Sequence, residues 1–157
     1  MLTVDWILIA DRSRANVLHA WPHHLRPFPT LASYIHAEGR LLPQERDSDA
    51  AGSVQRPGGA RSLVEPHEDR WHVESRRFAK ELGAVLERDR QSGRFDRLIV
   101  VAPPVFLGVL RETWSPKLRE HVVLELAEDL MPLPDKELQE RLAAIVSRLS
   151  ETAEAER

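Results

Sequence analysis

Val4 to Ala10 and Ala15 to Trp21 are apolar runs separated by the short polar stretch Asp11-Arg12-Ser13-Arg14, which predicts two antiparallel strands joined by a tight connection. Leu31 to Ala37 predicts a third strand. Pro22, Pro27 and Pro29 hold it apart from the second, because proline cannot donate to a central sheet ladder. From Glu38 to Pro66 the apolar periodicity lapses, and Gly39, Pro43, Gly52, Pro57, Gly58 and Gly59 alternate with charges. A loop of that length, about 39–66, is usually functional or disordered in a compact domain.

Beyond Pro66 the period becomes helical. Trp71, Phe78, Leu82 and Val85 follow one another at +7, +4 and +3, so they share one face of a long helix that ends near Gly93. Phe95 to Val101 is apolar on both faces, as expected of a strand in the sheet centre with helices on either side. Ala102-Pro103-Pro104 ends it and opens a short helix through about Glu112, and Ser115-Pro116 opens another with Ser as N-cap. Val122 to Ala127 predicts a fifth strand. Pro134 and Asp135 start a last helix whose Leu138, Leu142, Ile145 and Leu149 repeat at +4, +3 and +4.

Three meandering strands followed by alternating helices and strands is the element order of a ribonuclease-H-like α/β fold, a mixed five-stranded sheet with helices on both faces. We expect residues 1–157 to form a single domain with the last few residues frayed. Length supports this, since 157 residues is the usual size of a chain with one core.

Composition narrows the chemistry. The chain is 42% hydrophobic and 30% charged with a net charge of -3, as in a soluble globular protein, which excludes a strongly basic nucleic-acid coat. The first residues lack a basic leader region, and Asp5 interrupts the apolar run, so no membrane span is expected and the expected location is cytoplasmic. The absence of cysteine removes disulfides, thiolate metal sites, iron–sulfur clusters and thiol nucleophiles.

A two-metal nuclease on this fold needs carboxylates from the ends of the first and fourth strands. Asp11 ends the first, but Val101-Ala102-Pro103-Pro104 ends the fourth without one, and Asp11 reads better as a turn cap. His67-Glu68 opens like a zincin helix, yet the next histidine is His72, about 140° around the helix. His23 and His24 have no ligand partner nearby in sequence, and His36 and His121 read as satisfied strand-edge residues. No G-x-S-x-G, P-loop or G-x-G-x-x-G occurs. We expect no cofactor, no metal and no catalytic residue.

The charge distribution is uneven. Residues 70–94 carry seven basic and four acidic side chains, a balance of +3, while 125–157 carry four and nine, a balance of -5. Arg70, Arg76, Arg77 and Lys80 lie along the long helix, with Arg88, Arg90 and Arg94 towards its end, and Arg56 and Arg61 flank Gly58-Gly59 in the loop before it. Arginine forks suit phosphate oxygens, and a Gly-rich loop follows a backbone closely. The alternative is a solvated helix face in which Glu74, Glu81, Glu87 and Asp89 pair with these cations.

Several stretches resemble a known family. Trp6 to Ala15 with Asp11 and Arg12, His36 to Arg40 with Glu38 and Gly39, Glu65 to Glu68, and Gly93 to Pro104 with its Pro103-Pro104 end are similar to the bacterial host attachment protein family. Ser115 to Leu118 and Glu125 to Leu130 continue the likeness, which runs from about residue 4 to 143. That family in turn looks like a distant relative of the central domain of archaeo-eukaryotic release factors and Pelota. The resemblance implies the fold above and a Gly-Gly-Gln tip before the long helix; here Pro57-Gly58-Gly59-Ala60 has alanine in place of the glutamine. What the resemblance retains is a contact of the loop and basic helix with RNA, on the ribosome or tRNA. Two other functions stay open: a protein-interaction module using the acidic C-terminal helix, needed indirectly for attachment, and a peptidyl-tRNA or ester hydrolase at the Gly-Gly loop.

Overall fold

The computed structural model describes residues 3–20, 27–37, 40–43 and 67–155. Six strands form one sheet: β1 (Asp5–Ala10), β2 (Arg14–His19), β3 (Thr30–Ala37), β4 (Arg40–Pro43), β5 (Arg97–Ala102) and β6 (Val122–Ala127). Their spatial order is β4-β3-β2-β1-β5-β6. β1 to β4 pair antiparallel in succession, whereas β5 runs parallel to β1 and β6 parallel to β5. Parallel neighbours need long crossovers. Helix α1 (His67–Gln91) precedes β5, and α2 (Pro104–Thr113) and α3 (Pro116–Glu120) lie between β5 and β6; α4 (Asp135–Ala155) follows.

The mixed α/β architecture agrees with the sequence reading and is compatible with a ribonuclease-H-like arrangement. The expected five strands are joined by a sixth: β4 falls inside the stretch expected to be loop. Four residues with one adjacent apolar pair, Leu41-Leu42, show no alternation, and their pairing was decided by the open edge of β3, which sequence periodicity does not report.

Every residue of β1 is buried, because alternate side chains enter two different cores. Trp6, Leu8 and Ala10 join Leu98 and Val100 of β5 under α1 and α2, where Phe78, Leu82, Leu86, Phe106 and Leu110 complete the layer. Ile7 and Ile9 join Ile99 and Val101 on the opposite face, against Leu142, Ile145 and Val146 of α4. Each of these large apolar side chains contributes roughly 1.5–3 kcal/mol of burial. The continuous apolar pattern of β1 and β5 thus comes from covering both faces.

The helix ends follow their local chemistry. Gly93 takes φ +73° after α1. Its N–H donates to the Arg90 carbonyl and that of Arg94 to the Asp89 carbonyl, both at 3.0 Å, the two bonds of a Schellman motif. Ser115 caps α3, its hydroxyl accepting from the Leu118 N–H at 3.2 Å, with Pro116 in the first turn. At Gly83, α1 comes so close to Trp114 that an added Cβ would sit 2.6 Å from the indole Cδ1.

Candidate functional site

In open α/β sheets ligands bind outside the carboxyl ends of the strands. Here that edge is formed by the β1–β2 turn, the start of α2 after β5, and the segment after β6. Asp11 shapes the turn: one carboxylate oxygen accepts from the backbone N–H of Ser13 and of Arg14, both at 2.8 Å, and from the Ser13 hydroxyl at 3.2 Å. This is the turn-capping role read from the sequence. The exposed Arg12 beside it places its guanidinium carbon 5.5 Å from the centre of the Trp71 ring, within cation–π range.

Two adjoining pockets share Arg12, Ser13 and Trp71. The larger, of about 610 Å³, is also lined by His36, Arg70, Glu74 and Ser75. The smaller, of about 390 Å³, is lined by Asp11, Pro103, Val105, Phe106 and Asp129 as well. Both fall within the size range of small-molecule sites.

His36 is the buried polar group of the larger pocket, its side chain 8% exposed. Nε2 lies 2.5 Å from Glu74 Oε2. A carboxylate accepts, so Nε2 carries a proton; in the neutral ring Nδ1 then presents a lone pair, and in the charged ring it donates. That Nδ1 is buried with no hydrogen-bond partner among the described residues, and the same holds for the Trp71 indole Nε1. Unmatched buried nitrogens are uncommon, and two in the lining of one pocket mark it out.

The basic helix divides into two faces. Arg76 donates to Glu112 of α2 at 2.9 Å, Arg90 donates twice to Glu87, and Arg94 stands 3.8 Å from Asp89. The Arg90 hydrogen bonds hold the Glu87 carboxyl below its usual range and raise Arg90 in turn. For these three arginines the expected alternative of carboxylate pairing is what is found, although Arg76 pairs across to α2 instead of along its own helix. Arg70, Arg77 and Arg88 lie exposed within about 20° of one another on a stripe that begins at the pocket, and the exposed Lys80 lies between that stripe and Arg76.

Of the residues singled out by family likeness, Asp11, Arg12 and Pro103 come together at this edge, and Pro104 opens α2. Arg40 sits in β4 opposite Ala37, one position from His36. Arg56, Gly58, Gly59, Arg61, Glu38 and Gly39 lie outside the described residues. Sequence reasoning did not single out Ser13, Trp71, Glu74, Ser75 or Asp129 as site residues, and took His36 for a satisfied edge histidine; among the described residues only one of its two ring nitrogens is bonded. The readable signal was Ser75, a polar residue between Trp71 and Phe78 on an otherwise apolar stripe, and 1% exposed. Among the described residues no group of three or more His, Asp or Glu is placed to hold a metal ion, and no helix is long and apolar enough to cross a membrane.

A family model described as "protein required for attachment to host cells" matches residues 6–142. The chain belongs to this host attachment family. Every lining residue of both pockets falls within the matched span. The description connects the family with attachment to host cells and specifies no reaction. A search of curated proteins found no match to the chain.

Proposed function

We propose that this host attachment family member is a non-enzymatic RNA-binding domain, acting on the ribosome or tRNA. The observation that carries the reading is the exposed stripe Arg70, Arg77 and Arg88, with Lys80 to one side, which leads along α1 to the pocket where Arg12 covers Trp71. Exposed basic side chains contact phosphates, and an arginine laid on an aromatic at the end of such a track offers a planar group on which a base stacks. The likeness to the release-factor central domain supports the same partner.

Ribosome co-sedimentation and tRNA filter binding test this. Association is expected at low salt, falling linearly with log salt concentration as counterions are released. Arg77→Glu with Lys80→Glu is expected to lower the magnitude of the salt slope by about 2, one for each phosphate no longer neutralised. No association with either RNA at low salt overturns the proposal.

A second reading, a protein-docking surface on α4, is favoured by the exposed Glu137 and Glu140 near its start. Reversing both charges without changing any partner in a pull-down removes it.

A further inference from the structure

We infer that the pocket beside Trp71 recognises a nucleoside monophosphate unit, as a free nucleotide or as one unstacked residue of single-stranded RNA; the RNA case rests on the reading above. Three properties of the pocket converge on that chemistry.

The first is the pairing of a flat aromatic wall with positive charge. The Trp71 ring carries the exposed Arg12 guanidinium at 5.5 Å, and Arg70 lines the same pocket. A planar heterocycle stacks on such a ring, and its phosphate meets the guanidinium groups.

The second is the hydrogen-bonding character of the lining. Trp71 Nε1 and the Arg12 guanidinium donate only, so a ligand must offer acceptors. His36 is the opposite case. With its Nε2 proton directed to Glu74 at 2.5 Å, the unpartnered Nδ1 of the neutral ring accepts a hydrogen bond. Phosphate oxygens and ring nitrogens supply the acceptors, and a sugar hydroxyl or exocyclic amine supplies the donor. Inorganic phosphate has no planar face, and an unphosphorylated nucleoside has no charge for Arg12 and Arg70.

The third sets the length of the phosphate chain. Next to the shared Arg12-Trp71 wall, the smaller pocket presents the carboxylates of Asp11 and Asp129. They repel further phosphates, so one phosphate is favoured over three.

The test is calorimetric titration of the full chain with AMP, ATP, adenosine, inorganic phosphate and a six-residue oligoadenylate RNA. The variants are Arg12→Ala, at an exposed position that leaves the core untouched, and Trp71→Leu, which keeps an apolar side chain; thermal melts confirm that both fold. Saturable AMP binding is expected, about tenfold tighter than ATP, adenosine or phosphate, and weakened about tenfold by either substitution. Phosphate binding as tightly as AMP overturns the nucleoside assignment. AMP binding without oligonucleotide binding sustains the pocket as a free-nucleotide site and counts against the RNA reading. Oligonucleotide binding lost in both variants without AMP binding assigns the pocket to RNA. Oligonucleotide binding unchanged in both variants, with no AMP binding, overturns this inference and leaves the RNA reading standing. Binding of neither overturns both.

Discussion

At its amino end β1 sets Asp5 opposite Arg97 of β5, and the guanidinium donates to both carboxylate oxygens at 2.8 and 2.7 Å. At its carboxyl end the acid, Asp11, folds back on its own turn, and the arginine beside it covers an indole. The amino end is closed by further bonds. The Val4 N–H reaches an Asp96 carboxylate oxygen at 2.8 Å, the Asp96 N–H returns to the Val4 carbonyl at 2.8 Å, His121 bonds the Asp96 carbonyl, and Trp6 packs on Phe95. The carboxyl end keeps two pockets and two of the three unmatched buried nitrogens among the described residues; the third, His19 Nε2, belongs to the residue opposite Trp6 at the amino end. Polar side chains thus bridge neighbouring strands at one end of the sheet and line pockets at the other.

The contrast predicts different responses to equivalent truncations. Arg97→Ala takes two charge-assisted hydrogen bonds from a carboxylate that is 1% exposed and is expected to cost about 3 kcal/mol in urea unfolding. Arg12→Ala, at the open end, is expected to cost less than about 1 kcal/mol while weakening ligand binding. Equal losses of stability would break the comparison.

A change midway between the ends has an intermediate effect. Gly83→Ala drives a methyl towards Trp114, whose indole N–H donates to the Ala79 carbonyl at 3.0 Å. Overpacking of this kind costs about 1–3 kcal/mol, offset in part by the better helix propensity of alanine. A thermal melt is expected to show a drop smaller than that of Arg97→Ala.

The smallest effect is electrostatic. Glu87 is held below its usual range by the hydrogen bonds from Arg90, so it contributes stability above the ordinary carboxyl range and loses it as pH falls through the depressed value. Glu87→Gln is expected to remove about 0.5 kcal/mol or less at neutral pH and to flatten stability slightly on the acid side, read from urea midpoints between neutral and acid pH.

The lettering of the chain carried most of the architecture. β5 was legible as a buried central strand because both of its faces are covered, which leaves no polar position to interrupt the run; β1 was legible as a strand, and the structure added that its two faces are both covered. α1 was legible from the spacing of Trp71, Phe78 and Leu82, and its end from Gly93, since few other residues adopt a positive φ without cost. β4 was hidden, because a four-residue edge strand is defined by its neighbour's free edge and not by its own period.

The site was less legible. Arg12 and Pro103 stood out through family likeness, but Trp71 read as one more apolar helix position, and nothing local connects it with His36 or Asp129. Charge summation gave residues 70–94 a balance of +3, but α1 itself adds Glu68 and Asp69 and ends before Arg94, so its six basic side chains are matched by six acidic ones. Only packing paired Arg76 with Glu112 of the next helix, on a different face from the exposed Arg70, Arg77 and Arg88.

By itself, then, the sequence determined the order and type of the main elements, the two-sided burial of β5, the chemistries that lack of cysteine forbids, and the +3 balance of residues 70–94. These depend on local period, residue identity and count. The tertiary structure alone decided the sixth strand, the pairing of Arg76 across to α2, and the convergence of Arg12, His36, Trp71 and Asp129 at one edge of the sheet. Those depend on which distant segments become neighbours, and strand pairing and helix docking bring them together through contacts that no single stretch of chain records.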